Sequence, residues 1–328
     1  MLSVIRPTLS AERNSLSRII SSLAPGYTLQ GSRWDYRILT PIEGDNTHIS
    51  TVFNPKVNPR ENAEDTPKTP QWAVIKVASP GDAIAKENMD RECQTYHLPD
   101  INSAACFREM YDVIESSTIA LEWRDTTLAE VKYQSHMHIY SLIAAVLRAA
   151  LTSCVLLEGH QHVNTDLKPA NILLSGIETR PVTAKVGDLR LVVPVASLFN
   201  AQPYALRAPE VFLGQPCKEP LQVWAVATML LCRINLVFWA WCMAKIKRLF
   251  PHWRIQTPNE VQKYSLKVAL QVILPFDQEI QKVEMPQQLR DLLRFMLVVN
   301  PVDRPSPSSV LASREFRSFE KLVKLSCS

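Results

Sequence analysis

One short segment of the chain, residues 164–174, carries side chains suited to moving a phosphoryl group. Asp166, Lys168 and Asn171 lie at fixed offsets in a proline-containing loop just before an apolar, strand-like run. A carboxylate can accept or orient a hydroxyl proton, an ammonium offsets the charge of the moving phosphoryl, and an amide oxygen can hold magnesium. The segment therefore predicts phosphoryl transfer to a hydroxyl, with a solvated surface loop of the same composition as the alternative.

A second carboxylate, Asp188, follows another short apolar run. Magnesium takes few protein oxygens and completes its shell with phosphates and water. We therefore expect Asn171 and Asp188 to converge on one metal ion from neighbouring loops. A hairpin turn without a metal is the alternative, because Gly-Asp sequences are common in turns.

A single lysine, Lys76, interrupts the apolar run over residues 72–78. A lysine in a buried strand needs an anion, either a nucleotide phosphate or a carboxylate of the helix expected over residues 82–96. Glu92 is preferred as that carboxylate and Glu87 is the second choice, because Tyr96 could pack inward on the same face as Glu92. The alternative is an edge-strand lysine that points to water.

Two later blocks supply Glu210 and Arg304. An arginine and a carboxylate can form a bidentate pair, and we expect this pair to be buried and to brace the end of a mobile loop. The alternative is two unrelated surface charges.

In this order and at these separations, the blocks resemble the eukaryotic protein kinase family, over roughly residues 34–319. Residues 208–210 are identical to the family's Ala-Pro-Glu motif, and Arg304 matches its late arginine. Lys168, two residues after Asp166, is the serine/threonine-type pattern. The loop is also similar to that of SR-protein kinases and related fungal sequences.

The resemblance implies a protein serine/threonine kinase that uses ATP and Mg²⁺. It makes Asp166 the catalytic base and Lys168 the stabiliser of the transferring phosphoryl, and it places Asn171 and Asp188 on magnesium. It also implies a nucleotide site formed by Lys76 held by Glu92, with the backbone of Glu122 and Arg124 at the adenine edge.

The fold implied by the resemblance is α+β with two lobes. A mostly β N-lobe with one helix is expected over residues 34–123, after an N-terminal extension over residues 1–33. A larger, mostly α C-lobe is expected over residues 124–328. Residues 54–70, with four prolines among polar residues, are expected to form a loop between strands.

Several positions depart from the family pattern. The glycine-rich phosphate loop is missing, and only Gly44 stands where it is expected. Asn164 and Thr165 replace a histidine and an arginine before Asp166, and the missing arginine argues against control by loop phosphorylation. Arg190 replaces a glycine and is expected to be strained. Gln222 replaces an aspartate that accepts backbone hydrogen bonds, and can still accept through its carbonyl.

These departures support a second hypothesis, a pseudokinase that serves as a binding or scaffold module with weak or no nucleotide turnover. A third hypothesis is a small-molecule kinase of the aminoglycoside phosphotransferase type, because such enzymes also carry a loop in which an Asn follows an Asp by five residues. Lys168 and the motif over residues 208–210 argue against that third hypothesis.

The resemblance implies a protein substrate, and the composition argues against a nucleic-acid partner. The 328 residues carry a net charge of +4 with lysine and arginine scattered among acids, which does not favour nucleic-acid binding. The apolar run over residues 224–244 contains Arg233 and Asn235, so we expect a core helix and no membrane span. The sequence identifies neither the substrate nor the oligomeric state.

The seven cysteines show no paired spacing, which predicts free thiols and no zinc site. We expect an intracellular protein, cytoplasmic or nuclear. Residues 1–26 are rich in serine and arginine and faintly resemble a mitochondrial transit peptide, but a disordered or docking N-terminus is the preferred interpretation.

Overall fold

The computed structural model describes residues 23–42, 50–59, 69–179, 181–198, 202–233, 249–250 and 274–325. These residues divide into two units. Unit 1 comprises the described residues up to His97 together with Arg108–Trp123. Unit 2 comprises Leu98–Phe107 together with the described residues from Arg124 onward. The expected α+β class is confirmed, because antiparallel sheets occur together with several helices.

The core of unit 1 is a six-stranded antiparallel sheet. Its strands are β1 Thr28–Gln30, β2 Trp34–Pro41, β3 Ser50–Pro59, β4 Ala73–Ala78, β5 Met110–Glu115 and β6 Thr118–Glu122. They are ordered β1-β2-β3-β4-β6-β5. Strand β2 buries alternate side chains, Trp34, Tyr36 and Ile38, as the two-residue period of a strand requires. Strand β4 is buried along its whole length.

The proline-rich segment expected as a loop over residues 54–70 is partly a strand, because β3 continues to Pro59. Residues 54–59 pair with β2, whereas the continuous register with β4 covers residues 50–53. Proline has no N–H to donate, which suits a stretch of strand with one full partner. Residues 60–68 lie outside the described residues.

One helix, α1 (Ala83–Tyr96), accompanies the sheet in unit 1. It begins after Asp82, whose carboxylate accepts hydrogen bonds from two backbone N–H groups of the first turn. Met89, Glu92 and Tyr96 are buried, and their spacing of three and four residues places them on one face. This face fixes the position of Glu92.

Unit 2 combines short strands with a larger set of helices. The strands are β7 Thr126–Thr127, β8 His162–Asn164, β9 Ile172–Ser175, β10 Thr183–Val186 and β11 Val192–Pro194. They form one sheet of order β10-β9-β7 and a second of β11-β8. The helices are α2 Met137–Gly159, α3 Pro209–Phe212, α4 Pro220–Arg233, α5 Phe276–Gln281, α6 Gln287–Met296, α7 Pro307–Ala312 and α8 Arg314–Leu325.

Helix α2 confirms the buried helix expected from the apolar periodicity over residues 139–157. It is the helix, among those described, with the length and composition of a membrane span. However, 67% of its apolar window is buried within the protein, as in a core helix, so it is weak evidence for a membrane. Helix α6 likewise buries its predicted apolar face, which consists of Leu289, Leu292, Leu293 and Met296.

Some expectations fall outside the described residues. They concern the N-terminal extension up to residue 22, the turn around Gly44, and the apolar run beyond Arg233 that includes Asn235.

Candidate functional site

The loop that carries the predicted chemistry connects β8 to β9 in unit 2. Strand β8 ends at Asn164, a 3₁₀ turn covers Pro169–Asn171, and β9 begins at Ile172. Val163 and Ile172 are buried and anchor the two ends of the loop in the core, and Leu167 is buried between them. The polar residues between them are therefore held in place by their apolar neighbours.

The loop brings Asp166, Lys168 and Asn171 together. Lys168 Nζ lies 2.8 Å from Asp166 Oδ2. Asn171 Nδ2 donates to the same carboxylate oxygen at 3.0 Å and to the backbone oxygen of Asp166 at 2.8 Å. Both bonds use the amide nitrogen of Asn171, so its oxygen is the atom suited to a cation.

Asp166 is buried, and its surroundings change its proton affinity. Burial raises the pKa of the Asp166 carboxyl above its usual range, and the Asp188 carboxylate contributes to that rise. The Lys168 ammonium, and more weakly Arg190, act in the opposite direction and lower the pKa. The result is a carboxylate that holds a proton more strongly than one in water, as a general base requires.

The side chains of Gln222 and Asn164 accept hydrogen bonds from the backbone of this loop. The Gln222 side-chain oxygen accepts a hydrogen bond from the backbone N–H of Asn164 at 2.8 Å, and Gln222 is fully buried in α4. This is the acceptor role expected of Gln222. Asn164 Oδ1 in turn accepts from the backbone N–H of Asp166 at 2.9 Å, a contact that sequence analysis missed. Its signal was an Asn two residues before the aspartate, the spacing of an Asx turn.

Thr165 links the loop to the segment after Asp188. Its backbone N–H and its hydroxyl both donate to the backbone oxygen of Leu191, at 3.1 and 2.8 Å. Strands β8 and β11 continue this contact as an antiparallel pair. The hydrogen bonds of the Thr165 hydroxyl and backbone thus join the two segments, at the position where the resemblance predicts an arginine.

Asp188 follows β10, directly after a residue that contacts Asn171. The backbone N–H of Gly187 donates to the backbone oxygen of Asn171 at 2.8 Å, which ties the two segments together. Asp188 has a positive φ of 55°. Aspartate tolerates this left-handed conformation better than most residues.

The strain expected at Arg190 is not found. Arg190 lies in a 3₁₀ turn, Leu189–Leu191, and it is not among the residues with positive φ. The positive φ falls two residues earlier, at Asp188, so position 190 accepts a side chain without strain. The Arg190 side chain folds back, and its Nε lies 3.3 Å from Asp188 Oδ2.

A magnesium site at this position would use the oxygens of Asn171 and Asp188. The Asn171 amide uses its nitrogen in hydrogen bonds to Asp166, which leaves its oxygen as the candidate ligand, and two protein oxygens are enough for magnesium. Arg190 shares the Asp188 carboxylate and adds a positive charge beside it. Within the described residues, no group of three or more His, Cys, Asp or Glu side chains could hold a metal ion.

Unit 1, taken by itself, contains another charged pair, Lys76 and Glu92. Lys76 Nζ lies 2.5 Å from Glu92 Oε2, with β4 and α1 supplying the two residues. Lys76 is 9% exposed and Glu92 is completely buried. Glu87 instead pairs with Arg91 at 2.6 Å on the outside of the helix. The structure therefore selects Glu92, the carboxylate preferred from the sequence.

Glu122 and Arg124, expected at an adenine edge, fall in different units. The Glu122 backbone oxygen accepts a hydrogen bond from Arg108 Nε at 2.7 Å. Its side chain accepts from the backbone N–H of Glu109 at 3.1 Å. The Glu122 carbonyl can accept a second bond, but the contact with Arg108 was not visible in the sequence.

Glu210 and Arg304 form the bidentate pair expected from the sequence. Arg304 Nη1 and Nη2 donate to the two Glu210 oxygens at 2.7 and 3.0 Å. Arg304 also donates to the backbone oxygens of Val298, Val299 and Pro220. Both side chains are buried, so the pair joins the start of α3 to the loop before α7.

A buried glutamine that sequence analysis missed, Gln202, holds the segment before α3. Its side chain accepts from the backbone N–H of Ala208 at 2.8 Å and donates to the backbone oxygen of Leu221. Gln202 has a φ of 80°, which no local sequence pattern predicts.

In a comparison with known protein families, no family model matches this chain.

Proposed function

We propose that this chain is a protein serine/threonine kinase, which transfers the γ-phosphoryl group of ATP to a hydroxyl of a protein substrate. In this proposal unit 1 is the small lobe of a two-lobed kinase fold and unit 2 is the large lobe. The observation that carries the proposal is the contact of Asp166 with Lys168 at 2.8 Å and with the Asn171 amide at 3.0 Å. These are the groups that transfer to a hydroxyl requires.

Asp166 is the proposed base. The substrate hydroxyl gives its proton to the Asp166 carboxylate, its oxygen bonds to the γ-phosphorus, and the bond to the bridging oxygen breaks to release ADP. Burial raises the pKa of Asp166 and so strengthens it as a base. The Lys168 ammonium, which contacts this carboxylate, offsets negative charge on the phosphoryl as it moves.

The remaining groups bind the nucleotide. Magnesium, when bound, neutralises phosphate charge, and Asn171 and Asp188 are the residues that would hold it. Lys76 would bind the α- and β-phosphates. Glu92 orients Lys76 through the 2.5 Å ion pair, and its burial in α1 keeps that orientation fixed.

A binding module without turnover is the second candidate, and one contact favours it. Arg190 already pairs with Asp188, the carboxylate that a metal would need. A guanidinium at this position competes with a divalent cation for the carboxylate, because like charges repel in a partly buried site. If the guanidinium excludes the divalent cation, the protein would bind partners or nucleotide without transferring phosphate.

The deciding experiment is transfer of radiolabelled phosphate from ATP and Mg²⁺ to a mixture of basic proteins. Asp166→Asn removes the base and keeps the shape, so we expect labelling to fall by at least about 10²-fold, the usual contribution of a general base. Glu178→Gln, an exposed acid in a turn of unit 2, is the matched control and should retain full labelling.

Nucleotide binding separates the two candidates if labelling is low. A folded wild-type protein that shows no labelling, together with a melting temperature that rises with ATP, would favour the binding module. Equal labelling by Asp166→Asn and wild type would contradict the kinase proposal.

A further inference from the structure

Arg190 changes the charge of the proposed metal position. Its Nε lies 3.3 Å from Asp188 Oδ2, and the two side chains are only 21% and 23% exposed. At this burial an attached cation acts on the carboxylate with less screening than it would have in open solvent. Arg190 therefore places a covalently attached positive charge beside Asp188, whether or not a magnesium ion is bound.

The charges of the two loops, residues 165–171 and 187–191, balance without a metal ion. Asp166 and Asp188 carry the negative charges, and Lys168 and Arg190 carry the positive charges. With glycine at position 190 the same set would have one uncompensated carboxylate. That carboxylate would repel a polyphosphate until a divalent cation bound.

We infer that Arg190 supplies, as part of the chain, positive charge that a magnesium ion would otherwise have to provide at Asp188. The inference rests on the proposed nucleotide site and concerns how that site depends on magnesium. Binding of a nucleoside diphosphate depends only weakly on magnesium in this protein, and Arg190 is the residue responsible for that weak dependence.

A purely structural role for Arg190 makes a different prediction. A packing residue would change the stability of the fold when it is replaced, without changing how magnesium affects the nucleotide. Arg190 lies in the 3₁₀ turn Leu189–Leu191 and contacts the carboxylate of Asp188, which precedes that turn. Substitutions that keep or remove the positive charge therefore distinguish an electrostatic role from a structural one.

The test is the affinity for ADP, measured by calorimetry with excess Mg²⁺ and with EDTA. Four proteins are compared: wild type, Arg190→Lys, Arg190→Gln and Arg190→Gly. Lysine keeps the charge, glutamine keeps much of the length without the charge, and glycine removes both. Melting temperatures without nucleotide establish that each variant is folded.

We expect wild type and Arg190→Lys to bind ADP in EDTA within about threefold of their affinity in Mg²⁺. Arg190→Gln and Arg190→Gly should weaken about tenfold in EDTA, or ~1.4 kcal/mol, and recover when Mg²⁺ is added. The same loss in EDTA for all four proteins would overturn the inference and leave the proposed function intact. If no folded protein binds ADP under either condition, both the proposed function and the inference are overturned.

Discussion

Two arginine–carboxylate pairs of unit 2 differ in almost every physical respect. Arg304 donates two hydrogen bonds to the Glu210 carboxylate and three more to backbone oxygens. Both side chains of this pair are buried. Arg190 meets Asp188 through Nε at 3.3 Å, and about a fifth of each side chain is exposed. The first pair joins segments 94 residues apart, whereas the second joins residues two apart.

This difference indicates what each pair is for. A buried, fully bonded pair cannot lose a partner without leaving a charge stranded in the core, so it maintains the fold. An ion pair at a partly exposed position, such as Arg190 with Asp188, is held more weakly and exchanges more readily for another cation or for phosphate. We therefore assign Arg304 to stability and Arg190 to ligand binding.

Replacement of Arg304 should have the largest effect on stability. Arg304→Met leaves Glu210 buried without its partner, and we expect the free energy of unfolding in urea to fall by about 3–5 kcal/mol. The double variant Arg304→Met with Glu210→Leu removes both charges and should recover much of that loss. A loss below about 1 kcal/mol for the single variant would contradict the structural role.

Glu158 differs from Glu210 and Asp188 because the charged group that acts on it is another acid, Glu219. Burial, and after it the Glu219 carboxylate, raises the pKa of Glu158 to about 7. The folded state then binds more protons than the unfolded state between about pH 4.5 and 7, so stability falls as pH rises through this window. Ionised Glu158 thus destabilises the fold at pH 8.

Glu158→Gln should therefore stabilise the protein at pH 8, by on the order of 1 kcal/mol once solvent screening of this half-buried group is allowed for. The gain should be smaller at pH 5, where wild-type Glu158 is mostly protonated in the folded state. Urea denaturation at both pH values measures it, and exposed Glu178→Gln serves as the control. A gain that is equal at pH 5 and pH 8 would rule out titration of Glu158 as the cause.

Replacement of Arg190 should have the smallest effect on stability. Arg190→Gln breaks a partly exposed ion pair, so the free energy of unfolding should change by less than about 1 kcal/mol. Comparison with Arg304→Met under the same conditions decides whether the two pairs differ as proposed. A loss as large as that of Arg304→Met would show that Arg190 also maintains the fold.

Local sequence patterns predicted the elements that depend on nearby residues. Apolar periodicity predicted α2 and the buried face of α6. Glu92 was favoured over Glu87 because Tyr96, four residues later, lies on the same face of the helix and could pack inward. The structure pairs Glu92 with Lys76. The prolines of residues 54–59 were misleading, because a strand with one full partner tolerates them.

Contacts between distant segments were harder to predict. Arg108 reaches the backbone oxygen of Glu122, and Thr165 reaches that of Leu191. A backbone oxygen is present at every residue, so the sequence carries no signal for which one a donor will find. Arg190 was expected to be strained, and the positive φ instead lies at Asp188, because the turn after β10 sets the dihedral angles.

The sequence alone determined which groups are available: a carboxylate, an ammonium and an amide at residues 166, 168 and 171, and an arginine at position 190. These follow from residue type and spacing, which need no folded chain. The tertiary structure decided which charges meet, because ion pairing depends on distances of a few ångströms between segments far apart in sequence. It paired Lys76 with Glu92 and Arg304 with Glu210. The contact of Arg190 with Asp188 is local by comparison and depends on the 3₁₀ turn that follows Asp188.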